Sequence, residues 1–237
     1  MKFDIFTLLP EVFDPYLSSS ILARAREKQI INVAVHDIRS YTTDRHHVTD
    51  DTPYGGGGGM VMKPEPVFTA IEAVLGSPPT CPVILLSPQG RVFNQQIAIE
   101  LSRIPHLALL CGRYEGIDER IRWHLITDQI SVGDYVLTGG ELPALMLLDA
   151  VSRLLPGVLG DPQGPWDDSH ASGLLEYPHY TRPQVWEERR IPEVLTSGDH
   201  KAIARWRHAQ SEAITRDRRP DLWRAWEAAH ATGGTRK

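Results

Sequence analysis

Cysteine is scarce, with two in 237 residues. Cys81 opens a strand-like run and Cys111 closes one, and neither sits in a metal-ligand spacing. A disulfide framework and a thiolate zinc site are therefore excluded. Long apolar runs are lacking too. None reaches the roughly 18 residues that a membrane span needs, and the opening MKFDIFTLLPEVF carries Asp4 and Glu11 where a secretory leader would be basic. The expectation is a cytoplasmic protein with no membrane partner. The ordinary nucleotide fingerprints are missing as well. The glycine run YGGGGGM (54–60) does not follow a strand, and no acidic residue ends a strand about twenty residues later, as a dinucleotide loop requires. No Gly-Lys-Ser/Thr follows it, so it is no Walker loop.

What is present is an alternation of apolar runs and helical patterns. Strand-like runs fall at 2–8, 31–38, 82–87, 106–111 and 129–132. Helical spacing predicts helices at 11–29, 64–75, 94–103 and 117–124, and another from Glu141 with Pro143 in its first turn to just before Pro156-Gly157. This order predicts an α/β fold with a parallel sheet covered on both faces. Residues 156–173, PGVLGDPQGPWDDSHASG, are rich in Pro and Gly and read as a linker. A helix over 199–215 follows, with Asp199 as its N-cap. The expected organisation is an α/β domain over 1–159, a flexible linker over 160–173 and a helical domain over 174–237.

Charge is divided unevenly. From Arg182 on there are 12 basic and 8 acidic residues, against 13 and 22 before it, so a basic tail follows an acidic body. Such a tail either forms a solvated helical face or meets a polyanion.

Two stretches carry the chemistry. HLALLCGRYEGIDERI (106–121) and SVGDYVLTGGELPALMLL (131–148) each run from an apolar strand through a glycine-punctuated loop into a helix. Such loops lie at the carboxyl ends of strands, where ligands of open α/β sheets bind, and they present backbone N–H and C=O groups to one small molecule. Other candidates have plainer roles. TDRHHVTDD (43–51) gathers three aspartates and two histidines, but the adjacent His46 and His47 point apart on a helix or a strand, so no metal site is expected. Arg153 fits the last turn of its helix as a cation favoured by the dipole, or as an i,i+4 partner of Asp149. Asp168 fits the cap of a short helix beginning SHASGLL. Trp186, Trp206, Trp223 and Trp226 read as core anchors of the small domain rather than base-stacking platforms. Spacing alone defines a pocket, not a reaction.

The segments DRHHVTDDTPYGGGGGM, LSPQGR, CGRYEGIDERI, SVGDYVLTGGELPAL, SRLLPGVLG, DDS with GLLEYPHYTRP, and SGDHKAIARWR occur in that order. Together they resemble the bacterial tRNA (guanine-N1)-methyltransferases of the SPOUT superfamily, from the N-terminal strand to about residue 220. The resemblance implies transfer of a methyl group from S-adenosyl-L-methionine to N1 of the guanosine at position 37 of tRNA, 3′ of the anticodon. It also implies a parallel sheet with a deep C-terminal trefoil knot, a small all-α C-terminal domain, and a homodimer whose active sites are shared between subunits. Carried over by position, the donor site comprises Leu85, Leu86, Ser87 and Pro88; Gly112, Tyr114 and Glu115; and Val132, Gly133, Asp134, Tyr135, Val136, Leu137, Gly139, Gly140 and Pro143. Asp168 takes the place of the general base, and Arg153 that of the residue steadying the guanine. Ser169, Glu176, His179 and Arg182 fall near the tRNA. Mg2+ is a candidate addition for which no ligand cluster marks a site. Gly58 and Leu85 stand where some relatives have Pro and Tyr, and Glu176 stands where Asp is usual. A SPOUT enzyme acting on another RNA and a non-catalytic RNA-binding adaptor are the competing readings.

Overall fold

The computed structural model describes residues 1–231. It divides into two compact units, Met1–Pro162 and the residues from Gln163 on. In the first unit, the strands are β1 (Lys2–Thr7), β2 (Asn32–Asp37), β3 (Asp50–Asp51), β4 (Val61–Met62), β5 (Val83–Val92), β6 (His106–Cys111), β7 (Gly116–Ile117) and β8 (Asp128–Ser131). Its helices are α1 (Asp14–Leu17), α2 (Ser20–Glu27), α3 (Pro64–Leu75), α4 (Gln95–Ser102), α5 (Glu119–Leu125) and α6 (Glu141–Ser152). Five strands form one sheet in the order β2-β1-β6-β5-β8, every pair parallel. A parallel sheet needs cover on both faces, and alternate side chains of each strand supply it. Ile84, Leu86, Leu107 and Leu109 pack on one face with residues of α2, α4 and α6. Val83, Leu85, Ala108 and Leu110 pack on the other with residues of α3 and α5. The mixed α/β architecture with a parallel sheet is the one the alternation predicts.

Two local expectations are corrected. The helix expected over 11–29 is broken into a 3-10 turn at Pro10–Val12, then α1 and α2. The serine run between them competes with the helix for hydrogen bonds: Ser18 Oγ donates to Asp14 Oδ1 (3.0 Å) and Ser19 Oγ to the Pro15 carbonyl (2.6 Å). Strand β5 extends to Val92, beyond the apolar run that ends at Ser87, because its pairing with β8 resumes at Arg91 after a register shift from Leu86.

Asp4 is 1% exposed in the middle of β1. Its carboxylate accepts from His36 Nε2 (2.7 Å), His106 Nε2 (2.6 Å) and Lys2 Nζ (2.9 Å). Burial alone would raise its pKa, but the hydrogen bonds from His36, Lys2 and His106 outweigh that and hold the carboxyl well below the usual range. A folded-state pKa below the unfolded value of about 4 contributes stability above that pH, and the contribution is lost as pH falls through the folded value. Asp4→Asn is expected to cost about 2 kcal/mol at pH 7 and to show a shallower loss of stability below about pH 4. Urea unfolding across pH checks this, and parallel acid limbs in the two proteins would refute it.

In the second unit lie α7 (Gly164–Asp167), β9 (Val185–Trp186), β10 (Arg189–Arg190), α8 (His200–Arg218) and α9 (Pro220–Ala231). Asp199 caps α8, accepting from the N–H groups of Lys201 and Ala202. The unit is not wholly helical, since β9 and β10 form a two-residue antiparallel ladder. No helix begins at SHASGLL. His170 (φ 73°) and Gly173 (φ 85°) turn that segment out of helical geometry, and Asp168 closes the C-terminus of α7. Nor are the tryptophans buried. Trp186 is 59% exposed, and Trp206, Trp223 and Trp226 are half-buried. Trp226 stacks on Trp223 and on His230, and Arg216 lies 4.2 Å over the Trp223 ring. A unit this thin in aliphatic residues builds its packing from aromatic faces and guanidinium planes.

Candidate functional site

Strands β6, β5 and β8 are adjacent in the sheet, and the loops leaving their carboxyl ends enclose a cavity of about 230 Å3. That volume admits a small molecule and no polynucleotide. Of the sixteen residues expected around a donor, fifteen line this cavity; Asp134 does not. Asp134 sits in a tight turn closed by the Tyr135 N–H on the Gly133 carbonyl (2.9 Å), which leaves it exposed. Arg113 and Thr138, which fall within the expected donor loops, also line the cavity, as do Gln89, Arg122 and Ser131, which were not anticipated.

Each loop is held by its own short-range bonds. Ser87 Oγ accepts from the Gln89 N–H (3.2 Å), and Ser131 Oγ accepts from the Gly133 N–H (3.2 Å) while donating to the Gly133 carbonyl (3.0 Å). The Glu115 N–H donates to the Met60 carbonyl (3.0 Å), which ties the end of the glycine run to the loop after β6. The loop after β8 returns to that same loop: Arg113 and Gly139 form an antiparallel bridge, and the Gly140 N–H donates to the Gly112 carbonyl (2.9 Å). Gly140 must be glycine at this crossing, because an added Cβ would lie 2.7 Å from Cys111 Cα and 3.0 Å from Gly112 N.

Both arginines that line the cavity are paired with carboxylates. Arg113 Nη1 pairs with Glu141 Oε2 (3.2 Å), and Arg122 pairs with Glu119 and hydrogen-bonds to Gln129. Burial, and then the charge of Glu141, push the Cys111 thiol well above its ordinary range, so it is no nucleophile. Among the described residues, no group of three or more His, Cys, Asp or Glu side chains is placed to hold a metal ion. In the DRHHVTDD stretch, Asp44 instead accepts from the backbone of His46 and Val48.

The remaining expected residues are placed as follows. Arg153 is the C-cap of α6, its N–H bonded to the Asp149 carbonyl (3.1 Å). Asp168, Ser169, Glu176, His179 and Arg182 belong to the second unit. There Ser169 Oγ accepts from the Glu176 N–H (2.9 Å), and the Glu176 carboxylate pairs with His179 Nε2 (2.8 Å).

An open parallel sheet whose strand-end loops enclose a cavity of small-molecule size is the ligand-site arrangement of α/β enzymes. The family model described as tRNA (Guanine-1)-methyltransferase TrmD matches residues 1–225. The chain is 56% identical over 223 residues to the tRNA (guanine-N(1)-)-methyltransferase of Dehalococcoides mccartyi, covering 94% of this chain and 90% of that one. It is 54% identical to the proteins of the same name from Moorella thermoacetica, over 224 residues, and Staphylococcus haemolyticus, over 222, with the same coverage. The chain belongs to this tRNA (guanine-1)-methyltransferase family.

Proposed function

We propose that this protein transfers the methyl group of S-adenosyl-L-methionine to N1 of the guanosine at position 37 of tRNA, 3′ of the anticodon. The observation carrying this reading is the cavity at the ends of β5, β6 and β8, in a chain of this family. The residues fit the donor. Leu86, Ile130, Leu137 and Pro143 offer apolar walls to a purine, and the glycine loops offer backbone groups to its edge and ribose. The paired arginines suit a nucleoside that carries no phosphate.

When bound, S-adenosyl-L-methionine supplies a methyl group activated on a sulfonium. The protein's work is to orient the guanine and move its proton. Asp168 takes the proton from N1, so that the nitrogen lone pair becomes available. The Arg153 guanidinium stabilises the negative charge that spreads to O6 as that proton leaves. The basic C-terminal unit meets tRNA phosphates.

The protein works as a homodimer with shared active sites. Support for this comes from α6, whose Leu142 and Met146 stay exposed beside Tyr16 and form an apolar groove with Val12, Pro15 and Leu145. A second copy covers that groove. The return of the loop after β8 against the loop after β6 supports the family's trefoil knot.

The test is product mapping. Purified protein, bulk tRNA and methyl-labelled donor are expected to give 1-methylguanosine at position 37 alone. Label confined to another RNA, or no binding of S-adenosyl-L-methionine in calorimetry, would overturn the reading.

A further inference from the structure

Glu141 is the first residue of α6 and is 4% exposed. Burying a carboxylate is costly unless it is paired and hydrogen-bonded. Glu141 is both. Its Oε1 accepts from Thr7 Oγ1 (2.8 Å) at the carboxyl end of β1, and its Oε2 pairs with Arg113 Nη1 (3.2 Å) in the loop after β6. The ion pair lies directly on the backbone of the loop after β8. A Cβ at Gly139 would come within 2.3 Å of Glu141 Oε2 and 2.7 Å of Arg113 Nη1. The glycine therefore makes room for the pair, and the pair sits beside the cavity that Arg113 lines.

We infer that Glu141 sets the preference of this cavity for a cationic ligand, by cancelling the charge of Arg113 at the cavity wall. The inference rests on the reading that the cavity holds the methyl donor, a cation, and later its neutral thioether product, S-adenosylhomocysteine. An uncompensated guanidinium would repel the sulfonium and leave the thioether almost untouched. At an effective dielectric near 20, an uncompensated like charge at the cavity wall is enough to shift affinity by about tenfold. Glu141 is thus a positioning and specificity-determining residue that acts through Arg113.

The experiment compares dissociation constants for S-adenosyl-L-methionine and S-adenosylhomocysteine by calorimetry, on the full chain well below its melting temperature. Glu141→Gln keeps the shape and an acceptor for Thr7 but removes the charge. It is expected to weaken donor binding about tenfold and product binding far less. Adding Arg113→Gln to that variant is expected to restore the wild-type ratio of the two constants, a rescue that a merely structural role would not give. Equal weakening of both ligands, or no rescue, would overturn the inference. Should Glu141→Gln not fold, Arg113→Gln alone decides. It leaves the carboxylate unopposed and is expected to raise the preference for the cation, and an unchanged ratio overturns the proposal. Wild-type protein that binds neither ligand would instead refute the donor reading itself.

Discussion

Asp168→Ala is expected to slow methyl transfer by about 10²–10⁴-fold, the usual contribution of a positioned general base, while S-adenosyl-L-methionine binds as before. The two halves of this expectation have separate physical grounds. The donor cavity is built from loops after β5, β6 and β8, all within Met1–Pro162, and its lining does not include Asp168. Its loops are held through bonds of their own at Ser87, Ser131, Met60 and Gly112. Guanine N1 carries a proton at neutral pH, and its lone pair is a poor nucleophile until that proton has somewhere to go. Asp168→Asn is the sharper variant, since it keeps the side chain's size and removes only the capacity to accept the proton. Single-turnover transfer at saturating donor, measured beside donor calorimetry, checks both halves. A rate near wild type in either variant would sink the assignment of the base, and lost donor affinity would place Asp168 in the donor site.

Much of this arrangement could be read from the sequence, for local reasons. LALLC is a continuous apolar run, and FDIF is one apart from Asp4, because the strands they form are buried on both faces. The helix start at Glu141 was legible from the Pro143 beside it, since proline suits the first turn of a helix. The glycine loops stood out because close crossing of two backbones leaves no room for a Cβ at Gly140. What escaped was non-local. The tail of β5, SPQGRV, is polar and pairs with β8 only after a register shift, which no periodicity encodes. The Arg113–Glu141 pair joins residues 28 apart, and a glutamate in the first turn of a helix already has an ordinary explanation in the helix dipole. Tryptophans at helical spacing read as core because large apolar side chains usually are, yet here a guanidinium lies over Trp223 and an imidazole stacks on Trp226. Residue roles in the second unit had no local signature. Asp168 ends one short helix where spacing predicted the start of another, and family position alone assigns it chemistry.

Arg153→Ala is expected to lower the rate of the chemical step by about 10²–10³-fold, the usual loss when a donor to a developing oxyanion is removed, with little change in folding stability. The end of α6 is closed by backbone, since the Arg153 N–H bonds to the Asp149 carbonyl whatever side chain it carries. Losing a cation from the last turn, or an i,i+4 pair, costs only some tenths of a kcal/mol. The rate is different, since the charge on O6 exists only as N1 gives up its proton. An interaction present at that moment and weak before it lowers the barrier without tightening the ground state. Donor binding should therefore be unchanged, and the loss should appear in kcat more than in the KM for tRNA. Arg153→Lys tests the geometry, because a lysine keeps the charge but not the planar fork of donors, and it is expected to recover only part of the lost rate. If Arg153→Ala matched wild type in a single-turnover assay, the residue would be a helix-end cation and nothing more, and stabilisation of O6 would have to come from another group.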